Sequence, residues 1–584
     1  MIEHGVDACL IASADPHLSE YLPEHWQIRR WLTGFTGSVG TVIVTAEQAG
    51  LWVDSRYLVQ AERELEGSGF VLERIQSALD QSFIQWLDQY VSRPGVVAVD
   101  GRTLSVSSFD ALRNALDDSI SLRLDLDLPG QVWQDRPALP VAPVIELTPE
   151  IACQSRVDKF SAVRKMMRKQ SASHHLISTL DDIAWVLNLR GSDVQFNPVF
   201  LAHLLISEKH TQLFVDLKKI GPGLRKSLMD DGVDVTDYEQ VTSALEALKD
   251  NDRLLFDPRR TVCALIDASA AAEVRTSNPT TLLKSRKSEA ELRNWREVMR
   301  HDGAALCEFF AWLEDAIERR GEQRLDELMI DAELTARRRA RPGFVSRSFS
   351  TIAAYRSNGA MPHYRASEQS HAVIEGHGLL LIDSGGQYLG GTTDITRMIA
   401  VGDISESERG DCTAVLSAMI AMSRLRFPEG VAAPLIDAVA RAPLWARLLD
   451  YGHGTGHGVG YFLNVHEGPQ VLSYRAPIHP DMALHPGMVT SNEPGLYRLG
   501  QWGVRIENLV CCRAAGQTEF GSFLEFETLT LCPIDTRCLL PRMLRADELA
   551  WLNDYHGAVR KQLEPLLDGK ALQWLLDRTE PLSL

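Results

Sequence analysis

The sequence predicts two related α/β domains followed by a larger third domain of mixed α and β structure. Three observations carry this expectation: the length, an internal repeat across the first half, and a change of pattern near residue 284. At roughly 100 to 200 residues per domain, 584 residues leave room for three or four separate cores. In the repeat, Trp31-Leu-Thr-Gly-Phe-Thr-Gly-Ser38 is followed by Leu51-Trp-Val-Asp54 and then by Val97-Ala-Val-Asp100-Gly-Arg102. Trp185-Val-Leu-Asn-Leu-Arg-Gly-Ser192 is followed in the same order by Leu213-Phe-Val-Asp216 and Leu255-Phe-Asp-Pro-Arg259. Both series read as short buried strands ending in turns, with helical stretches such as 82–91 between them. Five prolines from Pro129 to Pro149 suit a linker better than a helix or a central strand, which places the first domain over 1–150 and the second over 151–283. Ser288 and Glu291 have capping-box spacing and open a long helical pattern through Trp295, Val298 and Met299, so the third domain is expected over 284–584. Apolar positions at Leu549, Trp551, Leu552, Leu563, Leu566 and Leu567 predict terminal helices with a face able to pack on a partner subunit.

Composition removes several classes of function. Sixty basic side chains against seventy-eight acidic ones give a net charge of −18, the wrong sign for coating phosphate backbones, so no nucleic-acid partner is expected. No apolar run approaches the ~18 residues of a membrane helix, and no membrane association is expected. The nine cysteines are odd in number, scattered, and without a C-x-x-C pair, which fits reduced thiols in a cytoplasm rather than a disulfide frame or a zinc ribbon. The N-terminal segment has neither a basic region nor a long apolar stretch, so a secretory signal is not indicated and a cytoplasmic location is expected.

Acids and histidines of the third domain fall where strands end. Leu379-Leu-Leu-Leu-Ile-Asp383 is a buried-strand run, Ser384-Gly-Gly-Gln-Tyr-Leu-Gly-Gly391 supplies turn residues, and Thr392-Thr-Asp394-Ile-Thr-Arg397 resumes a β alternation. A hairpin centred near Tyr388 sets Asp383 and Asp394 roughly opposite each other, and two carboxylates that close repel unless a cation or a shared proton lies between them. Tyr451-Gly-His453-Gly-Thr-Gly-His457-Gly-Val-Gly460 is too rich in glycine for a helical i, i+4 metal pair and reads as a loop or distorted strand whose imidazoles alone reach a ligand. His466 follows in Asn464-Val-His466-Glu-Gly-Pro469, and Glu493 ends a strand before Pro494 and Gly495. In Trp502-Gly-Val-Arg505-Ile-Glu507 the alternation puts Arg505 and Glu507 on one face, which taken alone reads as a salt-bridged solvent face. Four carboxylates (Asp383, Asp394, Glu493, Glu507) with one imidazole (His457) suit hard or borderline divalent ions, and charge balance favours two of them.

These segments carry a family resemblance. Gly452-His-Gly-Thr-Gly-His-Gly-Val-Gly460, Phe462-Leu-Asn-Val-His-Glu-Gly-Pro469, Ser491-Asn-Glu-Pro-Gly495 and Val504-Arg-Ile-Glu-Asn508 resemble the aminopeptidase P (Xaa-Pro aminopeptidase) family of pita-bread metallopeptidases. Trp31 to Ser38, Leu51-Trp-Val-Asp-Ser-Arg-Tyr57 and Asn188-Leu-Arg-Gly-Ser-Asp193 are similar to its long three-domain form, which has two creatinase-like α/β domains ahead of the pita-bread catalytic domain. The resemblance implies that Asp383 binds one of two metal ions, that Asp394 and Glu507 bridge both, and that His457 with Glu493 completes the other. It also implies that His363, His453 and His466 meet the substrate, with His466 foremost in assisting the reaction, Glu493 as proton acceptor, and Arg505 holding a ligand carboxylate in place. Manganese is the first expectation for the ions, with zinc and cobalt as alternatives, and a homodimer through the C-terminal domain is implied. The activity implied is release of the first residue from peptides with proline second. The alternatives are a prolidase restricted to dipeptides and a metal-free binding module. Three positions depart from the family pattern: Pro362 stands for the usual aliphatic residue, Gly391 for an Asp, and Phe196 for a Tyr.

Overall fold

The computed structural model describes residues 1–54, 56–75, 82–322 and 324–583, so Ser55 of the Leu51 to Tyr57 motif lies outside the described residues. The chain forms two compact units, Met1–Lys284 and Ser285–Leu584.

In the first unit the strands are β1 (Ala8–Ala12), β2 (Thr41–Thr45), β3 (Ala49–Asp54), β4 (Val71–Ile75), β5 (Gly95–Val99), β6 (Ile120–Arg123), β7 (Ile145–Glu146), β8 (His174–Ile177), β9 (Leu189–Arg190), β10 (Ala202–Ser207), β11 (Thr211–Val215), β12 (Val233–Thr236), β13 (Arg253–Phe256) and β14 (Ala272–Arg275). Twelve of them build two six-stranded sheets, in the orders β4-β3-β2-β1-β5-β6 and β12-β11-β10-β8-β13-β14, while β7 pairs with β9. Along each sheet the pairings run parallel, antiparallel, antiparallel, parallel, parallel, so the sequence repeat is a repeat of topology. The recurring aspartates mark strand ends. Asp54, Asp100 and Asp257 each accept the backbone N–H two residues on, at 3.0, 2.9 and 3.0 Å, and each pairs with the arginine at that position. Asp216 does the same toward Lys218 N at 2.9 Å. These acids are turn formers that stop a buried strand. Among the prolines expected to form a linker, Pro129 and Pro149 instead occupy the first turns of the short helices Leu128–Val132 and Pro149–Ala152, where no N–H is needed.

The second unit adds β15 (Phe344–Arg347), β16 (Ile352–Tyr355), β17 (Gly378–Ser384), β18 (Gly386–Tyr388), β19 (Gly391–Thr392), β20 (Ile395–Val401), β21 (Arg426–Pro428), β22 (Gly456–Gly458), β23 (Glu467–Leu472), β24 (Val489–Asn492), β25 (Gly495–Arg498), β26 (Trp502–Arg505), β27 (Asn508–Thr518) and β28 (Gly521–Thr528). Its main sheets have the orders β21-β28-β27-β24-β22-β23 and β16-β17-β20. The helix Glu289–Glu318 starts at the expected capping box, with Ser288 N donating to Glu291 at 2.7 Å, and buries Trp295, Phe309 and Leu313. Trp295 lies over Gly391, where a Cβ would stand 2.9 Å from the indole. The terminal helices Ala546–Leu563 and Gly569–Arg578 spend their apolar face internally, since Leu552, Leu563 and Leu575 are buried in the core that also holds Phe310. That face is therefore not the one a partner would meet.

Three imidazoles are sealed in the first unit. His17 and His203 share the Tyr238 hydroxyl at 2.9 and 3.2 Å, and the His175 Nδ1 contacts Leu255 O at 3.0 Å. Burial lowers all three, His175 from its ordinary 6.5 to about 4. The unfolded chain therefore binds protons below pH 6.5 that the folded unit refuses, and stability falls as pH falls through this window. Urea midpoints for this unit, followed by tryptophan fluorescence from pH 7.5 to 5, are expected to decrease, and to decrease less in His175→Gln.

Candidate metal centre

Asp383 is the penultimate residue of β17, an apolar strand buried along its whole length. Its direct partner on β20 is Thr396, and Ser384 pairs with Ile395. Residues 386–392 leave this ladder to make a separate hairpin, β18 with β19, in another sheet. Asp394 thus lies just before the start of β20 rather than squarely opposite Asp383, which corrects the single-hairpin expectation. The carboxylates still converge: ligand atoms of Asp383, Asp394 and Glu507 all lie within 4.8 Å of one another.

His457 enters from the other sheet. It sits in β22 at a register shift against β23, the distorted strand its glycines foretold. Gly456 is required there, because a Cβ would stand 1.9 Å from Ser491 O on β24. The Nδ1 of His457 donates to Gly458 O at 2.8 Å, which leaves Nε2 as the coordinating nitrogen. That nitrogen is 3.3 Å from Glu493 and 3.7 Å from Asp394, so all five predicted ligands meet. Ser491 accepts His457 N–H at 3.0 Å and donates to Glu493 Oε1 at 3.0 Å, locking the imidazole and the acid into one frame.

Arg505 and Glu507 do not form a solvent face. Both are buried, and the Arg505 guanidinium donates to Asp383 Oδ2 at 2.5 Å instead of pairing with Glu507. Glu507 Oε2 accepts from Thr396 at 2.9 Å. Each of these two carboxylates therefore has one anchored oxygen, and among the described residues Asp383 Oδ1 and Glu507 Oε1 receive no hydrogen bond although buried. Burial first, then the neighbouring acids, drives Asp394 and Glu507 far above the ordinary carboxylate range. Asp383 is also raised, by burial against the pull of Arg505, whereas His457 holds Glu493 at about 2 in spite of its burial. Bare acids this close resist ionising together. Orphaned oxygens, an oxygen-rich donor set and one imidazole fit a pair of divalent cations.

The remaining predicted residues surround this centre. The ring of His466 stands edge-on to His457 with centroids 4.3 Å apart. His453 Nδ1 donates to Gly454 O at 2.7 Å, so its Nε2 accepts from the Tyr497 hydroxyl at 2.8 Å, and burial lowers it to about 4. Tyr497 in turn accepts from Arg505 at 2.7 Å and is pushed up to about 12, chiefly by burial. His363 is half-buried on the segment after β16, and the carbonyl of Pro362 before it accepts from Arg505 at 3.4 Å.

Sequence reasoning missed the supports of the site. Thr396 and Ser491 lie inside the motifs that carry the acids and Tyr497 lies just after Gly495, yet uncharged hydroxyls give no signal until their partners are known. Asp437 and Arg441 form a buried pair at 2.9 Å on the helix Ala433–Trp445 and brace the glycine-rich loop from behind. Arg441 donates to Tyr451 O at 2.9 Å and His453 O at 2.6 Å, and Asp437 accepts from Thr455. Their i, i+4 spacing on an otherwise apolar helix was the available signal.

Comparison with known proteins accounts for the whole chain. The pattern of metallopeptidase family M24 matches residues 293–514, and its C-terminal region matches 522–582. The creatinase/prolidase N-terminal domain matches twice, over 1–125 and 135–291. Xaa-Pro aminopeptidase 1 of Dictyostelium discoideum is 36% identical, the alignment covering 100% of this chain and 95% of that protein. The chain belongs to metallopeptidase family M24. Aminopeptidase P2 of Arabidopsis thaliana is 35% identical over 99% of this chain and 86% of that protein. Among solved structures, an X-prolyl aminopeptidase of Caenorhabditis elegans, described as a cytosolic enzyme with a di-nuclear active site, superposes with a TM-score of 0.92 at 30% identity, covering 99% of this chain and 95% of that one. An Xaa-Pro dipeptidase of Bacillus anthracis matches 65% of this chain and 99% of that one, with a TM-score of 0.51 and 25% identity. The M24 chain thus has two creatinase-like α/β domains ahead of a pita-bread unit of mixed α and β structure.

Mutual repulsion in the bare cluster makes a specific prediction. After metal stripping, Asp394→Asn is expected to melt above the stripped wild type by roughly 2–4 °C, the shift about 1 kcal/mol gives in a domain of this order of size. With manganese restored the order reverses. Thermal unfolding of the four samples checks both signs.

Proposed function

We propose that the chain is a dinuclear-metal Xaa-Pro aminopeptidase, releasing the N-terminal residue of peptides whose second residue is proline. The observation that carries this reading is the buried convergence of Asp383, Asp394 and Glu507 with His457 and Glu493, in a chain aligned end to end with Xaa-Pro aminopeptidases. Asp383, Asp394, His457, Glu493 and Glu507 would together hold the two ions. When bound, the ions supply an activated water and a Lewis acid for the scissile carbonyl.

The chain's own groups divide the remaining work. Glu493, fixed by Ser491 and His457, receives the proton released by the attacking water. His466 and His363, both half-buried, stabilise the developing oxyanion and assist the departing proline nitrogen. His453, kept neutral by burial and held in orientation by its bonds to Gly454 and Tyr497, contacts the substrate, while Arg505 prevents Asp383 from turning away. An amide to proline lacks an N–H, so peptidases that register substrates by main-chain hydrogen bonds handle it poorly and a dedicated pocket is needed. The proposal extends to a cytosolic location, to three domains with boundaries near 150 and 284, and to a homodimer through the C-terminal domain.

A dipeptide-only prolidase is the second reading. Against it stands the partial match to the dipeptidase, whose fold accounts for 65% of this chain. Hydrolysis of Ala-Pro-Ala and Ala-Pro with manganese separates the two: the tripeptide is expected to be cut faster. Chelation or Asp394→Ala is expected to lower turnover on the order of 100-fold or more, beyond the usual cost of losing a mere support of a metal ligand. Unchanged turnover in either sample rejects the mechanism.

A further inference from the structure

The segment carrying His363 is tied down by a single buried carboxylate outside the centre. Glu327 opens the helix Glu327–Arg339 and is fully buried. Its Oε1 accepts from Tyr355 N–H at 2.7 Å and Asn358 Nδ2 at 3.0 Å. Its Oε2 accepts from the Tyr364 hydroxyl at 2.7 Å and Ala372 N–H at 2.7 Å. Four neutral donors thus converge on two oxygens. Only the carboxylate anion can accept all four, because a carboxylic acid or an amide would set a hydrogen of its own against one of them.

All four donors belong to the stretch 355–372, and His363 lies inside it, next to Tyr364 and between the tethers at Asn358 and Tyr364. On the side facing the centre, Pro362 O accepts from the same Arg505 nitrogen that donates to Asp383. The stretch is gripped from both sides, with His363 at the point between the grips. We propose that Glu327 is a positioning residue for His363: its anion fixes the backbone of 355–372 and so sets how the imidazole meets the substrate. The reaction served is the one read above, on which this inference rests.

A double-mutant cycle on the manganese-loaded, full-length enzyme tests it. Glu327→Gln is expected to lower kcat/KM on Ala-Pro-Ala about 100-fold, the cost of a small misplacement of a reacting group, with bound manganese unchanged. In a His363→Ala background the same change is expected to cost less than about twofold, since residues acting through one another are not additive. An equal loss in both backgrounds, or none in either, overturns the proposal. Should Glu327→Gln fail to fold, Tyr364→Phe removes one donor and enters the same cycle, with about a tenfold loss expected to vanish without His363. Hydrogen exchange supplies a readout independent of activity: peptides covering 355–372 should exchange faster in the variant, and unchanged exchange also overturns the tether. Failure of the functional reading is visible separately, as wild type inactive on the tripeptide, and exchange then decides the tether alone.

Discussion

Four carboxylates brought together out of water constitute the constraint on which the catalytic unit is built. Two like charges about 4 Å apart repel by roughly 4 kcal/mol where the effective dielectric is near 20, so a cluster of four is stable only with countercharge at its middle. Arg505 supplies one positive charge, fixed on Asp383 at 2.5 Å. The rest of the demand falls on whatever occupies the space into which Asp383 Oδ1 and Glu507 Oε1 project without a donor. The protein has placed its own donors so that they anchor one oxygen of Asp383 and one of Glu507 and leave the other unsatisfied. A structural salt-bridge network would satisfy both.

The architecture delivers these acids from two directions. Asp383 and Asp394 flank the β17 and β20 ladder, whereas His457, Glu493 and Glu507 belong to β22 or lie beside β24 and β27. No acid needs a long flexible side chain to reach the centre, because strand ends set their Cα positions. The glycines of the His453 to Gly460 segment let β22 lie against Ser491, and the buried Asp437 and Arg441 pair holds that segment from behind. Hydroxyls from Thr396, Ser491 and Tyr497 then fix rotamers. Rigidity is thus laid down in layers, from helix pair to loop to ligand.

Much of this was legible in the sequence, for identifiable reasons. Buried strands that end in an acid stand out because continuous apolar runs and turn residues are local signals, and the same is true of the repeat, whose aspartates stop equivalent strands in both sheets. The five candidate ligands stood out because acids and histidines at strand ends are rare enough to count. Register was not legible: the β18 and β19 hairpin departs from the β17 ladder, which moved Asp394 away from direct opposition to Asp383. Burial of alternating polar residues was equally hidden, since Arg505 and Glu507 have the pattern of an exposed strand and only the surrounding sheets show that both faces are covered. The supports of the site are invisible for a third reason, that a threonine, serine or tyrosine acquires its role from a partner on another segment, Thr396 from Glu507, Ser491 from His457 and Tyr497 from His453.

The account stands on paired cations occupying the centre of the acid cluster. Anomalous diffraction at the manganese edge, from crystals grown with the metal, measures this directly. Two peaks are predicted among the five ligands, one beside Asp383 and one beside His457, with Asp394 and Glu507 touching both. A cluster without anomalous density, or one whose acids point apart around solvent, would contradict the account.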